Sequence, residues 1–387
     1  MLTIAVPRET LPGENRVAQV PETVARLVTL GLDVRVETGA GEHAGHRDDA
    51  YVQAGAKIAP DTRSLYSVAQ LVLKVGEPRL AESLGAHELD LMTPGTALVC
   101  FLNLHLHPDL LERLVARRIT AFAMEKMPRT TRAQRMDALS SMSTVAGYKA
   151  VLLGANALGR FFPLLMTAAG TVAPARVFVL GAGVAGLQAI ATARRLGAIV
   201  EAFDVRPAVR EEVQSLGATF VAAELASEQN VAEGGYAKAL TGEQEARERD
   251  VIHKHVAVSD VVVTTANVPG RKAPVLVTEA MVRDMRQGAV IVDLAAETGG
   301  NCELTKPGQE IVAHGVTILG PVNLPAQLAV HASQMYARNL LALVQLMVKD
   351  GALNLNFADD ILAATCVAHD GHKGPVPAPS RPAQVPA

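Results

Sequence analysis

The sequence has no tryptophan and few aromatic side chains of any kind. Aromatic residues make up 3% of the 387 residues, which leaves little material for the stacking platforms that bind single-stranded nucleic acid. The formal net charge is -3 and the basic residues are spread along the chain, so no basic surface is indicated either. Nucleic acid is therefore not expected as a partner.

Cysteine and long apolar runs are also scarce. The three cysteines, Cys100, Cys302 and Cys366, are odd in number and far apart, which argues against a disulfide framework and a metal site and is typical of a reducing cytosol. No apolar run reaches the roughly 18 residues that cross a bilayer, and "MLTIAVPRE" lacks the features of a signal peptide. We therefore expect no metal and no direct insertion into a membrane.

Apolar residues, by contrast, are abundant, at 49% of the chain, and they occur in short runs. Runs such as "LTIAVPRE", "LDVRVE", "AQLVLKVGEP" and "TALVCFLN" alternate with helical patterns, and a second series begins near Arg176. Strands that alternate with helices predict parallel sheets covered by helices, and the length predicts two domains. The predicted fold class is α/β, with two Rossmann-like domains that have parallel sheets and are joined by long helices.

The two long helices are predicted on either side of the second domain. The first begins near Ser140, and its expected buried face consists of Val145, Tyr148, Leu152, Ala155 and Leu158. The second runs from about His331 to Asp350, with Gly351 as its stop signal, and returns the chain to the first domain. The predicted domains are residues 1–137 plus 331–372, residues 138–330, and a proline-rich disordered tail, residues 373–387.

The most specific motif is "RVFVLGAGVAGLQAIATARRLGAIVEAFD". An apolar strand leads into the glycine-rich turn Gly181-Ala182-Gly183-Val184-Ala185-Gly186, and an alanine-rich helix follows. Gly181 allows the tight turn, Gly183 lets a pyrophosphate approach the backbone, and Gly186 allows close packing of helix on strand. Asp204 closes the next strand 18 residues after Gly186, so the segment predicts a dinucleotide site.

The end of that second strand indicates which dinucleotide binds. The Asp204 carboxylate can accept hydrogen bonds from the adenosine ribose and would repel a 2′-phosphate, which favours NAD(H) over NADP(H). Arg206, two residues later, could accept that phosphate and is the opposing signal. Because the acidic position at the strand end discriminates between the two, NAD(H) is the predicted cofactor.

A polar segment, "RTTRAQRMDALSS", lies between two apolar neighbours. Arg129, Arg132, Gln134 and Asp137 offer forked donors, an amide and a carboxylate, a set that could hold a carboxamide, a ribose and phosphate oxygens. The alternative is a solvated loop in which Asp137 starts the next helix. Composition alone leaves both interpretations open.

The longer stretch "PRTTRAQRMDALSSMSTVAGYKA" resembles the signature loop of the proton-translocating nicotinamide nucleotide transhydrogenases, in their NAD(H)-binding component. The resemblance covers nearly the whole chain and includes "TAAGTVAPARVFVLGAGVAGLQAIATARRLGA", "GGYAKAL" and "TTANVPGRKAPVLVTEAMV". The stretches "PRE…ENRVAQVPE" and "VIVDLAAETGGNCELTKPG" are shared with the related alanine dehydrogenases.

This resemblance implies particular site residues. It places Arg129, Gln134 and Asp137 at the nicotinamide and its ribose as the catalytic set, and Gly235 and Tyr236 in a mobile loop that folds over bound nucleotide. Two positions, Asn267 and Glu248, depart from the family's usual apolar residue and glutamine. The full predicted cofactor-binding set is Arg129, Thr130, Thr131, Arg132, Gln134, Arg135, Met136, Asp137, Ser140, Gly181, Ala182, Gly183, Val184, Gly186, Asp204, Val205, Arg206, Gly235, Tyr236, Ala266 and Asn267.

The resemblance also implies a function as one subunit of an NAD(P)+ transhydrogenase of the Si-specific/Re-specific, proton-translocating type. NAD(H) would lie in the cleft between the domains, and NADP(H) would bind only to a partner subunit. Expected partners are a second copy of the chain, an NADP(H)-binding beta subunit and a membrane-spanning alpha-2 subunit. These partners would hold the protein at the cytosolic side of the bacterial inner membrane.

Two other functions stay open at this point. A stand-alone alanine dehydrogenase would use an arginine, a lysine, a histidine and an aspartate; Arg16, Lys74 and His105 match the first three, with His107 competing for the third, and Glu297 replaces the aspartate. Arg16 and Lys74 could instead pair with local carboxylates. A non-catalytic NAD(H)-binding module would bind the nucleotide but stay inactive even with its partner.

Overall fold

The computed structural model describes residues 1–81, 85–222, 242–267 and 272–375. The chain forms two compact units: unit 1 is Met1–Met142 with Ala326–Ala387, and unit 2 is Ser143–Pro325. The predicted domain boundaries, after residues 137 and 330, stay a prediction. The predicted mobile loop with Gly235 and Tyr236, and residues 376–387 of the predicted tail, lie outside the described residues.

Among the described residues the strands are, in chain order, β1 (Thr3–Val6), β2 (Asp33–Glu37), β3 (Lys57–Ala59), β4 (Leu71–Leu73), β5 (Leu80–Ala81), β6 (Ala86–His87), β7 (Ala97–Cys100), β8 (Thr120–Ala123), β9 (Leu165–Thr167), β10 (Gly170–Val172), β11 (Arg176–Leu180), β12 (Ile199–Phe203), β13 (Thr219–Val221), β14 (Val261–Thr264), β15 (Val290–Asp293), β16 (Glu310–Ala313), β17 (Val316–Leu319), β18 (Val348–Lys349), β19 (Ala352–Leu353), β20 (Cys366–His369) and β21 (His372–Lys373). The α-helices are α1 (Pro21–Thr29), α2 (Asp48–Gln53), α3 (Thr62–Ser67), α4 (Glu88–Leu91), α5 (Pro108–Ala116), α6 (Ala138–Ala157), α7 (Val184–Arg195), α8 (Arg210–Ser215), α9 (Gly242–Val258), α10 (Glu279–Arg283), α11 (Ala329–Met347) and α12 (Asp360–Thr365).

Unit 1 is built on a sheet with the strand order β21-β20-β8-β7-β4-β1-β2-β3. The strands from β8 to β3 along this order are parallel, whereas β20 pairs antiparallel with β8. β7 and β8 are buried along their whole length, which explains the unbroken apolar sequence "ALVC". Because β8 and β20 are antiparallel neighbours, the chain leaves β8 and enters β20 at the same edge of the sheet.

Unit 2 has a sheet with the order β13-β12-β11-β14-β15-β17-β16, parallel except between β16 and β17. Successive residues of β11 point into different cores: Val177 and Val179 pack in one cluster, and Phe178 and Leu180 in another. Both faces of the sheet are therefore covered. The strand order turns back between β11 and β14, which is where open α/β sheets usually bind ligands.

The structure corrects the predicted buried face of the helix α6. Val145 and Leu158 are buried as predicted, but Tyr148 is 42% exposed. Small residues contribute most of the remaining buried face, because the helix lies close to its neighbours: a Cβ on Gly147 would come within 2.1 Å of the Ala185 carbonyl oxygen. The prediction followed bulky apolar residues and so missed the buried Gly147, Ala150, Val151 and Gly154.

The predicted end of the second long helix is also wrong. The helix α11 ends at Met347, and the chain then forms a short hairpin in which Val348 pairs with Leu353. Asp350 and Gly351 both have positive φ, 52° and 72°, as a two-residue hairpin turn requires. Gly351 therefore serves the turn and not a helix end.

Candidate functional site

The glycine-rich turn of unit 2 connects β11 to α7. Gly181 has φ +97°, and a Cβ there would lie 2.6 Å from the Thr265 hydroxyl oxygen. A Cβ on Gly186 would lie 1.8 Å from the Gly181 carbonyl oxygen, so the helix packs directly on the turn. Nothing lies within 4 Å of a Cβ built on Gly183, so the turn is open at this position.

The open side of the turn is the N-terminus of the helix α7. Gly183 occupies the cap position, and within the described part of the chain no side chain caps this end. The first N–H groups of a helix have no partner inside it, and the helix dipole favours an anion there. Open backbone space beside uncapped N–H groups fits a dinucleotide pyrophosphate.

Asp204 follows β12 and lies against the same turn. Its carboxylate accepts a hydrogen bond from the Ala182 amide at 2.8 Å, and it pairs with Arg206, whose Nε and Nη2 donate at 2.8 Å each. The Arg206 amide donates as well, at 2.9 Å. The hydrogen bond to Asp204 raises the pKa of Arg206. The two signals that the sequence set against each other, Asp204 and Arg206, are thus bonded to each other.

The loop after β14 carries the predicted residues Ala266 and Asn267. The buried amide of Asn301 brackets Ala266: its Oδ1 accepts from the Ala266 N–H at 3.0 Å, and its Nδ2 donates to the Ala266 carbonyl at 2.8 Å. Asn267 is exposed and accepts a hydrogen bond from Thr298 at 3.3 Å. Of the other predicted residues here, Val184 is exposed and Val205 is half-buried.

A residue that sequence reasoning did not single out, Asp293, organises the loops after β14 and β15. This carboxylate at the end of β15 is fully buried and accepts five hydrogen bonds of 2.7–3.0 Å, from the Thr264 and Thr305 hydroxyls and the Ala295, Asn301 and Cys302 amides. It thereby fixes Asn301 and, through it, the loop at Ala266. The available signal was an acidic residue closing an apolar strand in "VIVDLA".

The polar segment of unit 1 folds into a 3-10 helix, Thr131–Met136. Ala133 and Met136, three residues apart, share one face in this tight helix and are buried. Gln134 lies on the opposite side and is exposed. A pocket of about 220 Å³ is lined by Pro128, Arg129, Thr130, Thr131, Gln134, Asp137 and Ser140. The structure therefore brings together most of the predicted residues of this segment.

Both interpretations of Asp137 hold in the geometry. Its Oδ1 accepts from the Ser140 amide at 2.9 Å and its Oδ2 from the Ser140 hydroxyl at 2.5 Å, so it caps the start of α6. It also lines the pocket. Two predicted residues point elsewhere: Met136 is buried, and the guanidinium of Arg132 pairs with Asp359 and Asp360. The hydrogen bond from Arg132 lowers the pKa of Asp359.

Arg16 and Lys74 pair with local carboxylates. Lys74 Nζ is fully buried, 2.8 Å from Glu88 Oε1 and 3.3 Å from Glu9 Oε2, and Arg16 Nη2 lies 2.5 Å from Glu14 Oε2. Burial disfavours the ammonium of Lys74, but the attraction of the two carboxylates outweighs it and raises the pKa of Lys74. His105 and Glu297 are exposed, so their side chains are not part of this buried cluster.

Metal ligation and membrane insertion find no support in the described ranges. No group of three or more His, Cys, Asp or Glu side chains there is arranged to hold a metal ion. Nor is any helix in those ranges both long and apolar enough to cross a membrane.

Comparison with known proteins identifies the family. Residues 5–146 match the model of the alanine dehydrogenase/PNT N-terminal domain, and residues 150–374 match that of the C-terminal domain. The chain belongs to the alanine dehydrogenase/PNT family. It is 48% identical to an NAD(P) transhydrogenase alpha subunit of Rhodospirillum rubrum over 96% of this chain and 97% of that one. The alanine dehydrogenase of Halomonas elongata is 33% identical, over 96% and 94% of the two chains.

Solved structures give the same relation. A transhydrogenase from Sinorhizobium meliloti matches with a TM-score of 0.86 and 41% identity, over 96% of this chain and 99% of that one. An L-alanine dehydrogenase matches with a TM-score of 0.80 and 31% identity, over 96% of each. The predicted family resemblance and the α/β class with two domains and largely parallel sheets are confirmed. The family is one of oxidoreductases.

Proposed function

We propose that this chain is the NAD(H)-binding subunit of a proton-translocating transhydrogenase. The observation that carries the proposal is the polar pocket of Arg129, Gln134 and Asp137, in a chain that is 48% identical along almost its whole length to a transhydrogenase alpha subunit. Hydride passes between NAD(H) on this chain and NADP(H) on a partner subunit, and the transfer is coupled to proton translocation by the assembled complex.

The residues of unit 2 fit the adenosine and pyrophosphate half of NAD(H). Gly183 and the uncapped N-terminus of α7 offer open backbone N–H groups to the pyrophosphate. Asp204 is the acceptor for the adenosine ribose, and its negative charge disfavours a 2′-phosphate. When bound, the nicotinamide ring supplies the hydride chemistry at its C4 atom.

The residues of unit 1 supply orientation. Hydride transfer between two nicotinamide rings needs no proton transfer, so the protein must hold the rings at the near-attack distance of about 3–3.5 Å and exclude water. Gln134 carries an amide that can donate to and accept from a carboxamide, on a helix anchored by the buried Ala133 and Met136. Ser140 fixes both oxygens of Asp137, so this acceptor is already oriented.

Partners follow from the same proposal. The NADP(H) site lies on the beta subunit, and a membrane-spanning alpha-2 subunit completes the complex, which holds this chain at the cytosolic face of the bacterial inner membrane. A second copy of the chain binds through the hairpin β9–β10. In support, Leu164 and Met166 on this hairpin are more than half exposed, and such apolar patches usually mark an interface.

Alanine dehydrogenation is the less favoured alternative. Two buried carboxylates, Glu9 and Glu88, hold Lys74, and Glu14 holds Arg16. A substrate carboxylate would have to displace these internal anions from their cations. The non-catalytic module is distinguished by experiment, because it predicts no activity under any condition.

The decisive assay measures reduction of an acetylpyridine analogue of NAD by NADPH. We expect the purified chain to bind NADH but to transfer no hydride until the NADP(H)-binding subunit is added. Substitution of Gln134→Asn, which withdraws the amide by one methylene, should slow transfer far more than it weakens NADH binding. Alanine-dependent NAD reduction by the chain alone, or inactivity with the partner present, would contradict the proposal.

A further inference from the structure

The 3-10 helix Thr131–Met136 is tied to a distant part of the chain by one arginine. Arg132 Nη1 lies 2.6 Å from Asp359 Oδ2, and its Nη2 lies 2.9 Å from Asp359 Oδ1 and also contacts Asp360. The pair with Asp359 is bidentate, the geometry in which arginine and carboxylate bind best. The partners are 227 residues apart in sequence, so this contact is a tertiary one.

The aspartates sit on a fixed support. Asp359 caps α12, with Oδ1 accepting from the Ile361 amide at 2.9 Å, and the side chains of Ile361 and Leu362 are buried in unit 1. The helix α12 leads directly into β20, the antiparallel neighbour of β8. Since the 3-10 helix follows β8, Arg132 bridges two segments that emerge at the same edge of the sheet.

A second tie holds the same helix three residues later. Asn339, in the helix α11, is nearly buried and donates from Nδ2 to the Arg135 carbonyl at 2.9 Å. Arg132 and Arg135 therefore flank Gln134 with one side-chain tie and one backbone tie. The orientation of Gln134 depends on both.

Charge argues against a direct role of Arg132 in nucleotide binding. Its single positive charge faces two carboxylates, so the local sum is negative and would repel a phosphate. Arg132 is not among the residues that line the pocket, whereas Arg129 and Gln134 are. Its forked donors are committed to Asp359 and Asp360.

We propose that Arg132 is a positioning residue: through its pair with Asp359 and Asp360 it sets the orientation of Gln134, and it does not bind nucleotide. This rests on the proposed function of the pocket, because the orientation matters for hydride transfer. The C-terminal segment of unit 1 thereby contributes to the site without contacting the nucleotide.

Three variants test the ion pair. Arg132→Gln removes the charge, Arg132→Lys keeps the charge but loses the fork, and Asp359→Asn loses the charge while keeping a cap acceptor for α12. Arg118→Gln is the matched control, because Arg118 forms a comparably exposed pair with Asp370. Hydrogen exchange of the Ala133 and Asp137 amides, which bond within this helix, reports its order in the chain alone.

We expect Arg132→Gln and Asp359→Asn to slow hydride transfer in the complex about tenfold, since small misplacements of a reacting group have effects of this size or larger. NADH affinity should change less than about twofold, because positioning and not binding is lost. Exchange of the two amides should be faster, Arg132→Lys should be intermediate, and Arg118→Gln should match the unaltered protein. The effects of Arg132→Gln and Asp359→Asn should not add when combined.

Two results would overturn the proposal. A loss of NADH affinity equal to the loss of rate would make Arg132 a nucleotide ligand, and unchanged exchange with unchanged rate would make the pair idle. If the unaltered complex transfers no hydride at all, the proposed function fails, but the exchange comparison still decides whether Arg132 orders the helix.

Discussion

Asp204 combines two tasks in one carboxylate. It accepts from the Ala182 amide and so holds the glycine-rich turn, and it pairs with Arg206 in a bidentate arrangement. A carboxylate has about four acceptor sites, and these contacts with the Arg206 amide occupy all of them. A ribose hydroxyl must therefore take the place of one Arg206 contact when the nucleotide binds.

This geometry predicts the effect of Asp204→Asn. The amide keeps one oxygen for Ala182 but removes the charge that disfavours a 2′-phosphate, and it loosens Arg206, which can then accept one. NADH affinity should fall about tenfold, the equivalent of one charged hydrogen bond, while NADPH affinity should rise. Fluorescence titration with both nucleotides measures this. Glu201→Gln, on the same strand, is the control and should leave the ratio of affinities unchanged.

His87 predicts a pH effect on stability. Its Nδ1 accepts a hydrogen bond from the Leu89 amide at 3.2 Å, which requires the neutral ring, and burial lowers its pKa below the ordinary 6.5. The unfolded chain therefore takes up a proton before the folded chain as the pH falls through 6.5, so the free energy of unfolding decreases there and is level above.

The matched variants for this effect are His87→Asn and His105→Asn. Asparagine keeps a cap acceptor at position 87 without titrating in this range. Urea unfolding at pH 7.5 and at pH 5.5 should show a smaller loss of stability for His87→Asn than for the unaltered protein. His105 is exposed, and its variant should keep the full loss; an equal loss in all three proteins would refute the assignment.

At the residue scale the sequence predicts roles that depend on local neighbours. Gly181, Gly183 and Gly186 acquire meaning from their spacing and the flanking strand and helix, all within one short segment. The pairing of Arg132 with Asp359 could not be predicted, because it depends on the folded position of a residue 227 places later. The network of Asp293 was missed for a similar reason, since its partners lie in loops whose shape no pattern specifies.

At the scale of elements, the strand-turn-helix unit β11–α7 is where packing is tightest. Gly186 and Gly183 differ sharply in what an added methyl group would meet: the Gly181 carbonyl oxygen at 1.8 Å in one case and nothing within 4 Å in the other. Gly183 has φ -78° and ψ -168°, an extended conformation that alanine adopts readily.

We therefore expect opposite consequences from two alanine substitutions. Gly186→Ala should lower the free energy of unfolding by about 2 kcal/mol or more, because the helix must move off the turn. Gly183→Ala should leave stability nearly unchanged but weaken NADH binding, because the methyl group occupies the space beside the uncapped amides. Denaturant unfolding and NADH titration of both variants test this. Equal destabilisation by the two substitutions would contradict the packing argument.

Elements with a strong internal pattern were predictable, and elements defined by their partners were not. The buried runs "RVFVL" and "VVVT" form strands at the predicted places, because a strand covered on both faces must be apolar throughout. The predicted burial of α6 was wrong at Tyr148, because small residues supply much of its buried face. The strand β20 and the hairpin β9–β10 carry too little pattern of their own to be recognised.

At the scale of the whole molecule, the two units repeat one strand order with different outcomes. The orders β3-β2-β1-β4-β7-β8 and β13-β12-β11-β14-β15-β17 are the same when each is numbered from its own first strand. In unit 1 the point where the order turns back, between β1 and β4, holds the buried ion pairs of Lys74 with Glu9 and Glu88. In unit 2 the equivalent point holds the open turn at Gly183. The same architecture is thus closed by internal charges in one unit and left open to a nucleotide in the other.

The last prediction concerns how two copies associate. Among the described residues, β9 and β10 pair only with each other, and an isolated two-stranded hairpin is marginally stable in water. Met166 is 80% exposed on β9, and Val172 is 42% exposed on β10. The hairpin therefore gains stability if a second copy covers these side chains, and their substitution should weaken that association.

We expect the unaltered chain to sediment as a dimer and the double variant Met166→Asp/Val172→Asp to sediment as a monomer at micromolar concentration, because each new carboxylate would have to be desolvated in the interface. Val312→Asp is the control: Val312 is also an exposed strand valine, on β16, and its variant should remain dimeric. NADH titration of the monomeric variant separates association from folding, since an intact turn at Gly183 should still bind the nucleotide. A double variant that stays dimeric would place the interface elsewhere on the chain.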